Sequence, residues 1–591
     1  MIRILDHDDF ASNRSKIINV IDSQKSEHDI VRRPLRTFRY HALGLSAGLI
    51  VATSLTAAHA QTSPAQSCES LQGRTIARTQ IGLPAGNPTI VSATTTTMPA
   101  TMSGPEPTVA FCKLLGAIAP LDPNAPPIRF QINLPAQWNG RAVQYGGGGF
   151  NGVLITGLAP LRDAPLDLPP PVARGFMTYG TDSGHDNAKQ KEIQEFALND
   201  EALENFAHAA YKKVRDVAVE VARLHYGRAP EKLYFYGGSE GGREGLTMAQ
   251  RYPADFDGIV SVVPVINWVG LQFSGARTGL TQMDGGWLNP AKVKLLHEAV
   301  LAACDASDGL KDGIVSRYET CAKVMSPKNL RCPDGKDTGD TCLSDAQINT
   351  VETVRTRFEF PFPLANGITS YPGWNYGGED QVDGMTYWMT GPKPPQHPLP
   401  STVAEQGRIW YYGSGMLRYF IARDPSKDPR DITPAAYKDQ VLKISALMDS
   451  TNPDLSAFAR RGGKLILKEN MADLAQSPNA GVDYYKSVVA KMGQPEVDHF
   501  MRFYVTPGAN HAGGGNGANG APLARGVDLL ATIDQWVLKN EPPSRLVQVA
   551  QETKAPFATI AARPMCRYPA WPQYKGSGDP KDADSFTCAT E

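Results

Sequence analysis

The sequence has almost no net charge, since its 591 residues include 59 lysines and arginines against 60 aspartates and glutamates. No basic stripe stands out, and we therefore expect no nucleic acid among its partners. The sequence also has no C-x-x-C motif, so a zinc ribbon or a thioredoxin-type redox site has no support. After residue 60 no segment reaches the roughly 18 consecutive apolar residues of a membrane helix. We expect a mature chain that does not enter a membrane.

The first 60 residues are predicted to be a leader and signal peptide. Arginines at positions 32, 33, 36 and 39 precede an apolar stretch from Ala42 to about Ala57, and residues 58–60 form an A-x-A cleavage site. That order is typical of secretory signals, and a buried core helix is the alternative. The mature protein would begin near Gln61 and be exported, either to a periplasm or out of the cell. The leader before the arginines is long, which leaves the true start codon open.

Eight cysteines fit export, because disulfides form and persist in oxidising compartments. The even count permits many pairings, and pairing between sequence neighbours is the simplest hypothesis. The neighbouring couples are Cys68 with Cys112, Cys304 with Cys321, Cys332 with Cys342, and Cys566 with Cys588.

Helix and strand patterns alternate along most of the chain. This alternation favours an α/β fold with a largely parallel sheet. The sequence predicts strands within 128–143, 176–185, 232–236, 463–468 and 499–505, and helices over 203–226 and 240–252.

The middle of the chain differs, and a chain of this length exceeds what one compact core usually holds. From about Trp268 to Tyr437 the pattern becomes irregular, with Asp-Gly turns, two cysteine couples and a proline-rich tract. We interpret this part as an insertion that caps the core. The expected organisation is an α/β core over 61–267, a lid domain over 268–437, and the remainder of the core over 438–591.

A G-x-S-x-G motif stands between a predicted strand and a predicted helix. It runs from Gly237 to Gly241 with Ser239 at its centre. A sharp strand-to-helix turn of this kind exposes the serine hydroxyl and requires small neighbours. A glycine-rich turn with a solvated serine is the alternative.

A serine nucleophile needs a histidine to take its proton and a carboxylate to orient that histidine. Among the eleven histidines, only His185, His499 and His511 lie at or near predicted strand ends. His511 follows a strand in a flexible loop, and Asp473 follows the strand before it. Ser239, Asp473 and His511 keep the chain order of α/β-hydrolase triads, and we predict them as nucleophile, orienting acid and base.

An oxyanion hole needs two N–H donors. The residue after the nucleophile, Glu240, supplies one through its backbone. The loop "YGGGGFNG" from Tyr145 to Gly152 follows a predicted strand and is the right kind of loop for the other.

Together these motifs resemble the tannase and feruloyl esterase family, which includes mono(2-hydroxyethyl) terephthalate hydrolases. The resemblance implies an α/β-hydrolase core with an inserted lid, the triad Ser239, Asp473 and His511, and an oxyanion hole formed by Gly149 and Glu240. It covers nearly the whole mature chain through the motifs "WNGR" followed by "GGGGFNG", "TDSGHDNA", "SEGGREG", "CDASDGLKDGIV", "YPGWNYGGE", "PGANHAGGG" and "YKGSGD".

The sequence departs from this family at one point of the site. The family normally has a cysteine just before the serine and another just after the histidine, joined by a disulfide. This sequence has Gly238 and Ala512 there. Because both cysteines are missing together, no unpaired thiol remains, and we expect an intact site whose two loops are less tightly joined. A catalytically silent relative is the alternative.

Three aspartates are closely spaced between Cys304 and Cys321. Calcium accepts oxygen ligands from flexible loops, but this spacing is not that of an EF-hand and by itself favours solvated Asp-Gly turns. The family resemblance favours a structural calcium ion in the lid instead. It implies as ligands the side chains of Asp305, Asp308 and Asp312 and the carbonyls of Leu310 and Ile314.

Aromatic residues of the lid are candidates for stacking on an aromatic acid, and core packing is an equally good interpretation of any one of them. The terephthalate-monoester hydrolases hold the free carboxylate with a lid arginine, whereas this sequence has Trp410 at that position, with Arg408 and Arg418 only nearby. Our candidates are Trp374, Trp388, Trp410, Tyr411 and Tyr412, with Trp388 and Trp410 preferred.

We therefore expect an exported serine esterase that cleaves esters of aromatic acids, of feruloyl, galloyl or terephthaloyl type, through an acyl-enzyme intermediate. One alternative is a hydrolase of other esters, such as aliphatic esters or lactones. Another is a silent, calcium-stabilised binding protein for phenolics.

Overall fold

The structure is a computed structural model that describes residues 66–395 and 405–591. The predicted leader and signal peptide over 1–60 lie outside the described residues. The strands are β1 (Pro88–Pro99), β2 (Thr108–Ile118), β3 (Ile128–Pro135), β4 (Arg141–Tyr145), β5 (Met177–Thr181), β6 (Lys232–Gly238), β7 (Gly258–Val262), β8 (Phe358–Glu359), β9 (Ser370–Tyr371), β10 (Lys464–Asn470), β11 (Met501–Thr506), β12 (Leu546–Gln551), β13 (Thr559–Met565), β14 (Trp571–Tyr574) and β15 (Phe586–Ala589).

Nine of these strands form one mixed sheet, in the order β1-β2-β3-β5-β4-β6-β7-β10-β11. The pairs β1/β2, β2/β3 and β3/β5 are antiparallel. From β5 onward every pair is parallel. The carboxyl ends of β4, β6, β10 and β11 therefore lie along one edge of the sheet, and the loops that follow these strands meet there.

Helices fill the connections. They are α1 (Asp200–Glu204), α2 (Ala210–Tyr226), α3 (Glu240–Arg251), α4 (Trp268–Thr281), α5 (Pro290–Cys304), α6 (Tyr318–Val324), α7 (Asp345–Arg355), α8 (Arg408–Met416), α9 (Lys438–Met448), α10 (Ser456–Arg460), α11 (Asn479–Met492), α12 (Gln494–Phe500) and α13 (Leu529–Lys539), with π-helical turns at Asn205–Ala209, Thr386–Thr390 and Leu417–Ala422.

Alternate residues of the central strands feed two different hydrophobic clusters, as the two-residue period of a strand requires. In β6, Leu233 and Phe235 pack with residues of α2, α3 and α11. The tyrosines at 234 and 236 pack instead with residues of α13. The sheet thus has a helical layer on each face, which confirms the predicted α/β class.

A third hydrophobic cluster draws most of its residues from the region predicted to be inserted, among them Trp268, Trp410 and Phe420, and it also includes Phe150 and Phe206. The sequence pattern of this region is irregular, yet the structure forms α4, α5, α7 and α8 there. Helix α4 is buried on nearly every side, so it lacks the polar stripe by which a helix is recognised in sequence. Its Gly279 allows α8 to approach closely, since an added Cβ would lie 2.4 Å from the Trp410 ring.

All eight cysteines are paired as expected. The bridges are Cys68–Cys112, Cys304–Cys321, Cys332–Cys342 and Cys566–Cys588. Within residues 66–395 and 405–591, no helix has the length and apolar character needed to cross a membrane.

Candidate active site

Ser239 lies at the turn between β6 and α3. Its backbone has φ +60° and ψ −124°, a left-handed φ that non-glycine residues rarely adopt. The turn also requires small neighbours. A Cβ added to Gly237 would lie 2.1 Å from the Gly241 carbonyl oxygen, and one added to Gly241 would lie 2.7 Å from the Gly147 carbonyl oxygen. The outer glycines of the motif are therefore needed for close backbone contacts.

The structure brings Ser239, His511 and Asp473 into one hydrogen-bonded chain. His511 Nε2 lies 2.9 Å from Ser239 Oγ, and His511 Nδ1 lies 2.6 Å from Asp473 Oδ2. The other carboxylate oxygen, Asp473 Oδ1, accepts hydrogen bonds from the backbone N–H groups of Ala475 and Gln476 at 2.8 and 3.1 Å. Asp473 is fully buried. Its carboxylate is fixed on both sides, so it can hold the imidazole with Nε2 toward the serine.

The glycine-rich loop after β4 lies against the N-terminus of α3, where the Gly241 N–H donates to the Gly147 carbonyl at 3.1 Å. Gly149 has φ +59°, which a glycine adopts without strain. Among the described residues, none accepts a hydrogen bond from the N–H of Gly149 or Glu240. Both predicted oxyanion donors are thus available to a ligand.

A buried carboxylate that the sequence analysis missed joins this loop to α3. Glu244 Oε2 accepts from the Gly147 N–H at 2.9 Å, and its Oε1 accepts from Asn151 Nδ2 at 2.8 Å. Asn151 Oδ1 in turn accepts from the Gly148 N–H at 2.7 Å. Burial raises the pKa of Glu244, which these N–H donors partly offset. The only feature of the sequence that points to Glu244 is its position in the first turns of α3, five residues after Ser239.

His185, one of the three strand-end histidines, contacts the same loop and not the serine. Its Nε2 lies 2.7 Å from the Phe150 carbonyl oxygen, and its ring stacks on Phe196 with centroids 3.8 Å apart. Burial lowers the pKa of His185 to about 4, so at neutral pH the ring is uncharged and Nε2–H donates to Phe150. His499 lies in α12.

The preferred aromatic candidates lie in different environments. The Trp388 ring stands edge-on to His511, with centroids 5.1 Å apart and an interplanar angle of 77°. Trp410 is completely buried, and the structure does not bring it to the site. Tyr412 lies at the glycine loop, since a Cβ added to Gly149 would be 3.3 Å from its hydroxyl oxygen. The remaining candidates, Trp374 and Tyr411, are buried.

The two arginines near position 410 also differ. Arg418 is 2% exposed and is paired with Glu192. The Arg408 guanidinium carbon lies 3.5 Å from the centre of the Tyr387 ring, and that ring contacts Trp388. Arg408, and not Arg418, is therefore linked through aromatic rings to Trp388.

The predicted calcium ligands lie in the loop between α5 and α6. One oxygen of each aspartate is engaged by a backbone N–H of the loop, and Asp312 Oδ2 lies 3.0 Å from Arg563 Nη2. In the part of the chain that the structure describes, no group of three or more His, Cys, Asp or Glu side chains is placed to hold a metal ion. The oxygen donors suit calcium in kind, and calcium stays a prediction.

Comparison with known proteins follows the same line. The family model "Tannase and feruloyl esterase" matches residues 112–589. An uncharacterized esterase of Agrobacterium fabrum is 36% identical, covering 89% of this chain and 93% of its own. The mono(2-hydroxyethyl) terephthalate hydrolase of Piscinibacter sakaiensis is 30% identical, covering 81% and 84%. The crystal structure of feruloyl esterase B from Aspergillus oryzae has a TM-score of 0.70 at 24% identity, covering 88% of this chain and 99% of that one.

The family match spans most of the chain and includes the turn of Ser239 and the loops of Asp473 and His511. The relatives that carry named activities are hydrolases of carboxylic esters. The chain belongs to the tannase and feruloyl esterase family of carboxylic ester hydrolases.

Proposed function

We propose that the protein is an exported serine esterase that cleaves esters of aromatic acids through an acyl-enzyme intermediate. The observation that carries the proposal is the chain of hydrogen bonds from Ser239 Oγ through His511 to Asp473. This arrangement turns a weakly nucleophilic hydroxyl into one whose proton has an acceptor at hydrogen-bond distance.

In the proposed reaction, His511 Nε2 takes the Ser239 proton as Oγ attacks the ester carbonyl carbon. The carbonyl oxygen becomes negatively charged and accepts hydrogen bonds from the N–H groups of Gly149 and Glu240. His511 then gives its proton to the leaving alcohol, and the acyl group stays on Ser239. Water, deprotonated by His511, attacks the acyl-enzyme and releases the acid. Asp473 stabilises the charged imidazole in both halves of the reaction.

The fold supports a hydrolase core. We propose that β2 to β7 with β10 and β11 form an α/β-hydrolase sheet, in which β3 alone runs antiparallel to the other seven strands. The nucleophile would follow β6, the acid β10 and the base β11 at the carboxyl edge. Residues 268–437 would form the lid, because they supply most of a hydrophobic cluster that is separate from the two clusters on the faces of the sheet.

The preference for an aromatic acid rests on Trp388 and Tyr412, which place rings beside His511 and the glycine loop. Feruloyl, galloyl and terephthaloyl esters remain the candidate substrates. The Arg408 guanidinium lies over the Tyr387 ring, which contacts Trp388, and it would favour a substrate with a free carboxylate. Export rests on the predicted signal peptide and on the four disulfides.

Calcium is proposed as a structural ion of the 305–314 loop. When bound it would neutralise the aspartates of that loop, and no step of acyl transfer requires it. The three aspartate side chains, with the carbonyls of Leu310 and Ile314, are the proposed ligands.

The decisive experiment compares Ser239→Ala with wild type on a chromogenic short-chain ester. We expect the rate to fall by roughly four to six powers of ten with an unchanged melting temperature. Ser103→Ala, at an exposed position, is the matched control. A serine-reactive phosphonate should label wild type at Ser239 alone. Near-wild-type turnover by Ser239→Ala would refute the mechanism, and binding of phenolics without turnover by wild type would favour a silent binding protein. A panel of feruloyl, galloyl and terephthaloyl esters then identifies the substrate.

A further inference from the structure

Asp383 is a buried carboxylate in contact with the histidine loop, and it takes no part in the proposed proton transfers. Its Oδ2 accepts from the Ala512 N–H at 2.7 Å, directly after His511 in the chain. Its Oδ1 accepts from Trp388 Nε1–H at 2.7 Å. The residue is 6% exposed. Both oxygens thus act as acceptors, as in an ionised carboxylate.

These two hydrogen bonds fix two neighbours of the His511 imidazole. One fixes the backbone beside His511. The other fixes the indole of Trp388, whose ring stands edge-on to the imidazole. Trp388 lies in the π-helical turn Thr386–Thr390, and single π-turns are frequent at functional sites. A neighbouring contact ties the same segment to the same loop, where Gln381 Nε2 donates to the Gly508 carbonyl at 3.2 Å.

The charges around Asp383 explain why a carboxylate is tolerated there. Burial raises the pKa of Asp383, and Asp473 raises it further. His511, the Ala512 N–H and the Trp388 indole act in the opposite direction. The carboxylate therefore faces one group that becomes cationic during the proposed reaction, and that group is His511. A negative charge that interacts with the imidazole stabilises its protonated form.

We propose that Asp383 is a positioning residue that holds His511 and Trp388 in register and supports the protonated imidazole. The inference rests on the proposed function, because it takes His511 as the base. Asp383 belongs to the region predicted to be inserted, which would thus position the base as well as contact the substrate.

The test uses Asp383→Asn, Trp388→Phe and their combination in the full chain. An asparagine has one acceptor oxygen and places an NH₂ group against one of the two N–H donors. Trp388→Phe keeps a ring and removes the indole donor. Asp380→Asn, at an exposed position three residues away, is the matched control.

For Asp383→Asn we expect kcat to fall about tenfold or more with KM changed less than about threefold, because the ground-state contacts are retained. The acid limb of the kcat/KM profile should move to lower pH by about half a unit or more, since a charge that favours the imidazolium is lost. Trp388→Phe keeps this charge, so its acid limb should stay in place. The double variant should be no slower than Asp383→Asn, because the clash between amide and indole donors is removed.

An independent readout comes from the indole N–H resonances. The resonance absent in Trp388→Phe should shift in Asp383→Asn and stay unchanged in Asp380→Asn. If Asp383→Asn does not fold, the Trp388→Phe variant decides: wild-type kcat there would overturn the proposal.

A folded Asp383→Asn with wild-type kcat and pH profile would also overturn it. These failures differ from a failure of the proposed function, which would show as turnover in Ser239→Ala or His511→Ala whatever the result at position 383.

Discussion

A disulfide introduced between positions 238 and 512 would test whether the Ser239 turn and the His511 loop meet as the structure places them. Ser239 Oγ and His511 Nε2 are 2.9 Å apart, and positions 238 and 512 are their chain neighbours. The backbone of Gly238 has no left-handed φ, so a cysteine is compatible with its conformation. The variant is Gly238→Cys with Ala512→Cys.

Arg162 occupies the space that the new side chain needs. A Cβ added to Gly238 would lie 2.4 Å from Arg162 Cδ and 2.7 Å from its Nη1. The Arg162 Nε and Nη2 atoms are buried without a hydrogen-bond partner among the described residues. Moving this side chain therefore breaks no hydrogen bond at those atoms. We expect the disulfide to form with strain in the double variant and readily when Arg162→Ala is added.

The size of the effect follows from the length of the closed loop. Ser239 and His511 are 272 residues apart, and a loop of about that length gives a chain-entropy gain of roughly 5.6 kcal/mol at 25 °C. Strain and residual structure in the unfolded chain reduce this figure, so we expect about 2 kcal/mol or more for the triple variant.

Urea unfolding measures the gain. The reference is the same Arg162→Ala background with serines at 238 and 512, which adds similar bulk without the bond. Thiol titration of the denatured protein establishes whether the bond has formed. Two free thiols in the triple variant, purified under oxidising conditions, would show that the two loops do not meet, and the proposed triad would be refuted with them.

Three further predictions concern the elements around the site. Glu244→Gln should lower kcat by roughly 10- to 100-fold with little change in KM, because it loosens the oxyanion loop and leaves the substrate contacts in place. Steady-state kinetics measure this, with Glu220→Gln as the control. An equal loss of kcat in both variants would contradict the prediction. Between pH 7 and pH 5 the unfolded chain gains a proton at His185, whereas the folded chain, in which the pKa of His185 is about 4, does not bind it. The free energy of unfolding should therefore fall by roughly 2 kcal/mol more in wild type than in His185→Asn. Urea titrations at both pH values measure this difference, and equal falls in the two proteins would contradict the prediction. A calcium chelator should lower the melting temperature while the folded protein keeps its turnover at 25 °C, and immediate loss of turnover with an unchanged circular dichroism spectrum would assign calcium a direct role.

The sequence predicted those parts of the fold and site that depend on local signals. Strands β6, β10 and β11 are short apolar runs, and the turn around Ser239 carries its glycines in fixed positions. Chain order then selected Asp473 and His511 without knowledge of the sheet. The same reasoning did not find β1, whose threonine-rich, half-exposed pattern carries little hydrophobic signal, nor β2, which pairs with it.

What the sequence could not predict are contacts between distant segments. Nothing local distinguishes Asp383 from the exposed Asp380, and only the fold places the former against the Ala512 backbone. The sequence does not distinguish Trp410 from Trp388, yet Trp410 packs against Gly279 and Trp388 contacts His511. Burial depends on packing partners that lie elsewhere in the chain, which no local pattern contains.

Three buried carboxylates hold the site together, each on a different element. Glu244 holds the glycine loop, Asp473 the imidazole, and Asp383 the backbone after His511. Burial raises the pKa of Glu244 and of Asp383, so the folded state binds their protons more tightly than the unfolded chain does. Ionising them at neutral pH therefore costs folding free energy, and this cost is relieved as the pH falls. Glu244 and Asp383 thus reduce stability when ionised, and their contribution to the site is the positioning of the glycine loop and of the backbone after His511. Neutral replacements at 244 and 383 should accordingly affect turnover far more than the melting temperature.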